Sequence, residues 1–92
     1  MKEIVKAFQA AKRIDEVDFM VFFRVSDEYV VLFDDAHIIN GKIGIPILVK
    51  KFTDGQVLYS VIKEDHLVAV LQQLGNQGVE NYKIIETQEF DL

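Results

Sequence analysis

Apolar positions along this chain follow two spacings, and each change of spacing marks an element. Residues 2–14 carry Ile4, Phe8 and Ala11 at i, i+4 and i+7, with Ala7 and Ile14 widening the stripe. That spacing predicts an amphipathic helix, with Lys2, Lys6 and Lys12 on its outer side. The charged run 13–18 ends it. Residues 19–25 are almost wholly apolar, as in a strand covered on both faces. Ser26-Asp27-Glu28 supplies a polar turn and residues 29–33 return as a second strand, so the pair reads as a hairpin. Asp34 is placed to cap a short helix over 35–42, with Ala36, Ile39 and Ile43 inward and Gly41 and Gly44 helping to stop it.

The second half repeats this logic. Pro46 opens a strand that runs over 47–52, where its missing N–H does least harm. Thr53-Asp54-Gly55 is a tight-turn signal, and 57–62 is the returning strand. Leu67, Val70, Leu71 and Leu74 then give the clearest helical stripe in the chain, with Glu64 and Asp65 at its N-terminal end and Gly75 and Gly78 closing it. Residues 82–87 form the last strand. The order α-β-β-α-β-β-α-β predicts an α+β fold, a two-layer sandwich. Its sheet is mixed, largely antiparallel and about five-stranded, with three helices packed on it.

Composition narrows the setting. The 92 residues suffice for one domain, 1–92, with no repeat, low-complexity segment or linker inside it. There is no cysteine, which excludes disulfides and thiolate metal sites and points to the cytoplasm. The longest apolar runs, 19–23 and 29–33, fall far short of the roughly 20 residues that span a bilayer, so no membrane role is expected. The first residues mix charge with apolar positions and lack the apolar stretch of a signal peptide. A net charge of −5 argues against tight, autonomous binding of nucleic acid, where phosphate neutralisation supplies most of the affinity. A small domain with free strand edges is also open to pairing with a second copy, edge to edge or face to face.

Candidate chemistry is sparse. Asp34, Asp35 and His37 are the closest metal-type cluster, but their spacing does not make the three side chains converge, and a helix cap with solvated neighbours accounts for them better. The only serines, Ser26 in a turn and Ser60 in an apolar strand, sit in no nucleophile elbow. Neither an enzyme nor a cofactor is expected.

Residues 23–36 read Phe-Arg-Val-Ser-Asp-Glu-Tyr-Val-Val-Leu-Phe-Asp-Asp-Ala. This resembles the signature of the N-terminal, mismatch-recognition domain (domain I) of the DNA mismatch repair family MutS, with Arg24, Asp27, Tyr29, Asp34, Asp35 and Ala36 at matching places. Gly44-Ile45 with Leu48-Val49-Lys50-Lys51, then His66 with its leucine-rich helix to Gly78, then 84–88, are similar to later parts of that domain. The resemblance implies the MutS domain I fold and a DNA-binding role in mismatch repair. It also implies a lost reading head. The family's Phe-x-Glu motif, an aromatic wedge and a hydrogen-bonding acid, falls on Glu28 and Val30 here, and the motif's glycine on Ser26. A carboxylate cannot unstack a base as an aromatic does. Any remaining DNA contact through Arg24, Tyr29, Lys50 and Lys51 is therefore expected to be weak and non-specific; Arg24, Lys50 and Lys51 could form a small basic patch, but Lys50 and Lys51 read more readily as hairpin lysines that guard a strand edge against aggregation. The alternative is a protein-interaction or regulatory domain that keeps the fold without binding DNA. No Gly-x-x-x-x-Gly-Lys-Ser/Thr occurs, so no P-loop ATPase accompanies it.

Overall fold

A computed structural model describes residues 3–14, 19–53 and 55–87. Lys2, the run 15–18, Asp54 and Gln88 lie outside the described residues, as do the side chains of Arg13 and Ile14. The elements are α1 (Glu3–Ile14), β1 (Met20–Val25), β2 (Glu28–Leu32), α2 (Phe33–Ile43), β3 (Leu48–Phe52), β4 (Gly55–Lys63), a 3-10 turn (Glu64–His66), α3 (Leu67–Asn76) and β5 (Tyr82–Glu86). The strands form one sheet in the order β3-β4-β2-β1-β5. β1 and β5 run parallel and every other pair is antiparallel, so the sheet is mixed and largely antiparallel, as the element order predicts. No described helix is long and apolar enough to cross a membrane.

The central strands β1 and β2 are buried on both sides, and their alternation builds two separate cores. Met20, Phe22, Tyr29 and Val31 point to one side and pack with Ala36 and Ile39 of α2 and Leu67, Val70 and Leu74 of α3. Val21, Phe23, Val30 and Leu32 point to the other and pack with Ile4, Val5 and Phe8 of α1. The fold is α+β as expected, with α2 and α3 on one face and α1 alone on the other, so the sheet lies between two helical layers where two layers in all were expected. This division explains the five-residue apolar runs, because a strand with helices on both faces has no polar side.

Three local expectations are corrected. Asp34 does not cap α2: Leu32 precedes the helix, no side chain caps it, and Asp34 is exposed in the first turn. The second strand stops at Leu32 because Phe33 takes a φ of 50° and swings the chain into α2. Lys12 is not on the outer side of α1. It continues the Ile4–Phe8 stripe at i+8, and its ammonium turns inward to Asp35. The other end of α2 is as expected. Gly44, at φ 89°, returns its N–H to the carbonyls of Ile39 and Asn40.

Candidate functional site

The segment that resembles the mismatch-reading motif lies at the β1–β2 hairpin. Val25 pairs with Glu28, leaving Ser26 and Asp27 as a two-residue loop. Ser26 has a φ of 58°, the left-handed region that costs a residue with a Cβ about 1–2 kcal/mol. The position still has the backbone of a glycine without the residue. The loop is pinned from behind by Glu64, whose N–H donates to the Asp27 carbonyl.

Beyond the loop the chain turns inward. Tyr29 is 6% exposed and belongs to the α2/α3 core, while Val30 is 1% exposed and lies in the α1 core. Neither side chain can reach a groove outside the protein while the fold is intact. Glu28 is the one position of the three with access to solvent, and it stands opposite Lys63 of β4.

Arg24 is also committed. Its Nη2 donates to Glu64 Oε1 at 3.0 Å, Glu86 Oε1 lies 3.9 Å from Nη1, and its guanidinium carbon sits 6.0 Å from the Tyr29 ring centroid. Around the tip, Asp27, Glu28, Glu64, Asp65 and Glu86 outnumber Arg24 and Lys63, so a phosphate backbone meets a local negative surplus. Lys50 and Lys51 lie elsewhere. They sit on the edge strand β3 beside Val57 and Gln56, whereas Arg24 reaches β4 through Tyr29 at Ile62. Three inter-strand steps and five residues of strand separate them, roughly 14 Å across and roughly 17 Å along. The fold does not gather Arg24, Lys50 and Lys51 into one patch.

The most elaborate polar arrangement joins Asp35, which lies within the resembled signature, to Lys12, which no motif includes. Asp35 is 1% exposed. Its Oδ2 accepts the Val21 N–H at 2.9 Å, and its Oδ1 meets Lys12 Nζ at 3.0 Å. Lys12 also donates to the Phe19 carbonyl, and its ammonium lies 5.4 and 5.1 Å from the ring centroids of Phe8 and Phe19. The reason is local. The β1–β2 register reaches only Phe23 and Val30 at this end, beyond which β2 stays paired with β4 to Leu32 before α2 begins. The Asp35 carboxylate accepts the Val21 N–H there, while β1 keeps β5 as its partner on the other side. Burial pushes the Asp35 carboxyl above its ordinary value, against the opposing pull of the Val21 N–H and Lys12.

A cavity of about 630 Å³ opens beside this pair, walled by Phe8, Phe19, Met20, Ile38 and Val79. Its buried charged group, Asp35, is spent on Lys12 and the backbone. No group of three or more His, Cys, Asp or Glu among the described residues is placed to hold a metal. Asp34 and His37 face solvent while Asp35 faces Val21, so that cluster is split. Ser60 Oγ donates to the Pro46 carbonyl at 2.8 Å and is fully buried, which makes it a structural hydroxyl. No protein-family model matches this chain, and no curated protein matches it either.

Proposed function

We propose that this domain is a non-catalytic binding module for a protein partner, on a framework resembling the N-terminal domain of MutS, in which mismatch reading has been lost. One observation carries the reading: the residues at positions 29 and 30 are core residues on opposite faces of the sheet. A reader of the minor groove needs an exposed wedge, and the position with access to solvent here is a half-buried carboxylate, Glu28, beside Asp27. The ion-paired Arg24 and the acidic tip add to it, because few phosphates can be neutralised there. Ser60 is committed to the Pro46 carbonyl and Ser26 to a turn, which supports a non-enzymatic role. The lack of cysteine in the sequence supports the cytoplasm as its compartment.

The test is a salt-titrated anisotropy measurement with matched G·C and mismatched G·T duplexes. Equal, weak binding that vanishes at moderate salt is the expected result. A tenfold preference for the G·T duplex at physiological salt, on the order of 1.4 kcal/mol, would overturn the reading.

A further inference from the structure

We infer that the outer edge of β3 at Leu48, Val49, Lys50 and Lys51 takes up an extended acidic segment of a partner protein as an added strand; the inference rests on the protein-binding reading above. Among the described residues β3 pairs only with β4, so the outer backbone groups of Leu48, Val49, Lys50 and Lys51 can continue the sheet. Leu48 and Val49 are 44% and 50% exposed, adjacent, and therefore on opposite faces of the strand. Lys50 and Lys51 come next on the same edge, again one to each face, and neither forms an ion pair with a described residue.

Charge distribution selects the occupant. In a chain of net charge −5, the stretch 36–63 carries Lys42, Lys50, Lys51 and Lys63 against the single acid Asp54. The β3–β4 hairpin is thus a basic edge on an acidic protein. A second copy is disfavoured, since antiparallel pairing of two β3 strands would bring their lysines together. A strand with two consecutive acids followed by two apolar residues, running antiparallel, sets a carboxylate against Lys51 and Lys50 and apolar side chains against Val49 and Leu48. The lysines then act as a filter that rejects neutral and basic strands. The opposite edge, β5, has no such bias: it mixes Lys83 with Glu86, and Lys83 lies over the Phe19 ring.

The experiment is an amide-resolved NMR titration of the whole domain with three probes: a capped peptide containing Glu-Glu-Val-Val, the same peptide with lysine in place of glutamate, and a short DNA duplex. The expected result is shift changes and slowed hydrogen exchange at alternate amides of β3 with the glutamate peptide alone. Lys50→Glu combined with Lys51→Glu should weaken that peptide about tenfold and admit the lysine peptide. The milder Lys50→Gln with Lys51→Gln should weaken it without reversing the preference, and thermal melts confirm that each variant folds. No β3 response to the glutamate peptide up to about 1 mM overturns the inference and leaves the protein-binding reading standing. Concentration-dependent β3 shifts without peptide overturn it in favour of self-pairing. A β3 response to the duplex in place of the peptide overturns it as well, and if G·T is preferred over G·C the protein-binding reading falls with it.

Discussion

At the two ends of β1, a basic side chain meets a carboxylate at the same 3.0 Å, and the two contacts do different things. Near its start, Lys12 reaches across to Asp35, whose side chain is 2% exposed and also holds the Val21 N–H. Near its end, Arg24 meets Glu64 with 40% and 51% of their side chains in solvent. The first contact joins α1, β1 and α2 around a buried carboxylate, with Lys12 itself 32% exposed. The second adjusts the charge of a surface. Distance alone does not rank them; burial and the number of groups left stranded when one partner goes do. Arg24 and Asp35 both lie in the stretch 23–36, and the buried one carries the greater structural weight.

Removing Asp35 should therefore have the larger effect. Asp35→Ala strands both the Val21 N–H and Lys12, and urea unfolding should show a loss of about 3 kcal/mol. Asp35→Asn separates charge from shape. Because burial raises the Asp35 pKa from its ordinary value of 3.8, the folded state binds a proton more tightly than the unfolded chain. The resulting stability is fully present below 3.8 and is lost as pH rises through the raised folded value. The stability of the unmodified protein relative to Asp35→Asn should thus fall as pH is raised across that window. A difference that is flat with pH, or rises, would mean that the Lys12 pairing outweighs burial.

Effects at the hairpin end should be smaller. Ser26→Gly relieves the positive φ and should stabilise the protein by about 1 kcal/mol, read as a higher urea midpoint with unchanged slope. Arg24→Ala should cost no more than about 0.5 kcal/mol, and that cost should shrink further in high salt. An Arg24→Ala loss as large as that of Asp35→Ala would break the contrast between the two ends.

The same physics decides how much of each end is legible in the sequence. The stripe Leu67, Val70 and Leu74 and the unbroken apolar runs of β1 and β2 are legible because burial over a whole element leaves a periodic signature. The positive φ of Ser26 is foreseeable from the glycine that the resemblance places there. Lys12 misleads because a lysine can bury its stem along an apolar stripe while its type reads as surface. The sequence offers no local signal that distinguishes Asp34 from Asp35. Which of two adjacent acids turns inward depends on where β2 leaves the sheet, and that depends on Phe33, a bulky residue in a conformation no pattern assigns to it. The division of helices between faces is hidden for a related reason: strands buried on both sides do not say which helix covers which side.

Val30, at the position where the resembled motif carries its acid, is a core residue, and Val30→Glu tests that most directly. This change puts a carboxylate, as in the motif that the segment resembles, on a side chain that is 1% exposed beneath α1. An unpaired carboxylate there should cost about 3 kcal/mol or more in urea unfolding, while Val30→Ile should cost less than about 1.5 kcal/mol. A Val30→Glu domain as stable as the unmodified protein would mean that position 30 faces solvent and is available to read a base, and would contradict the account.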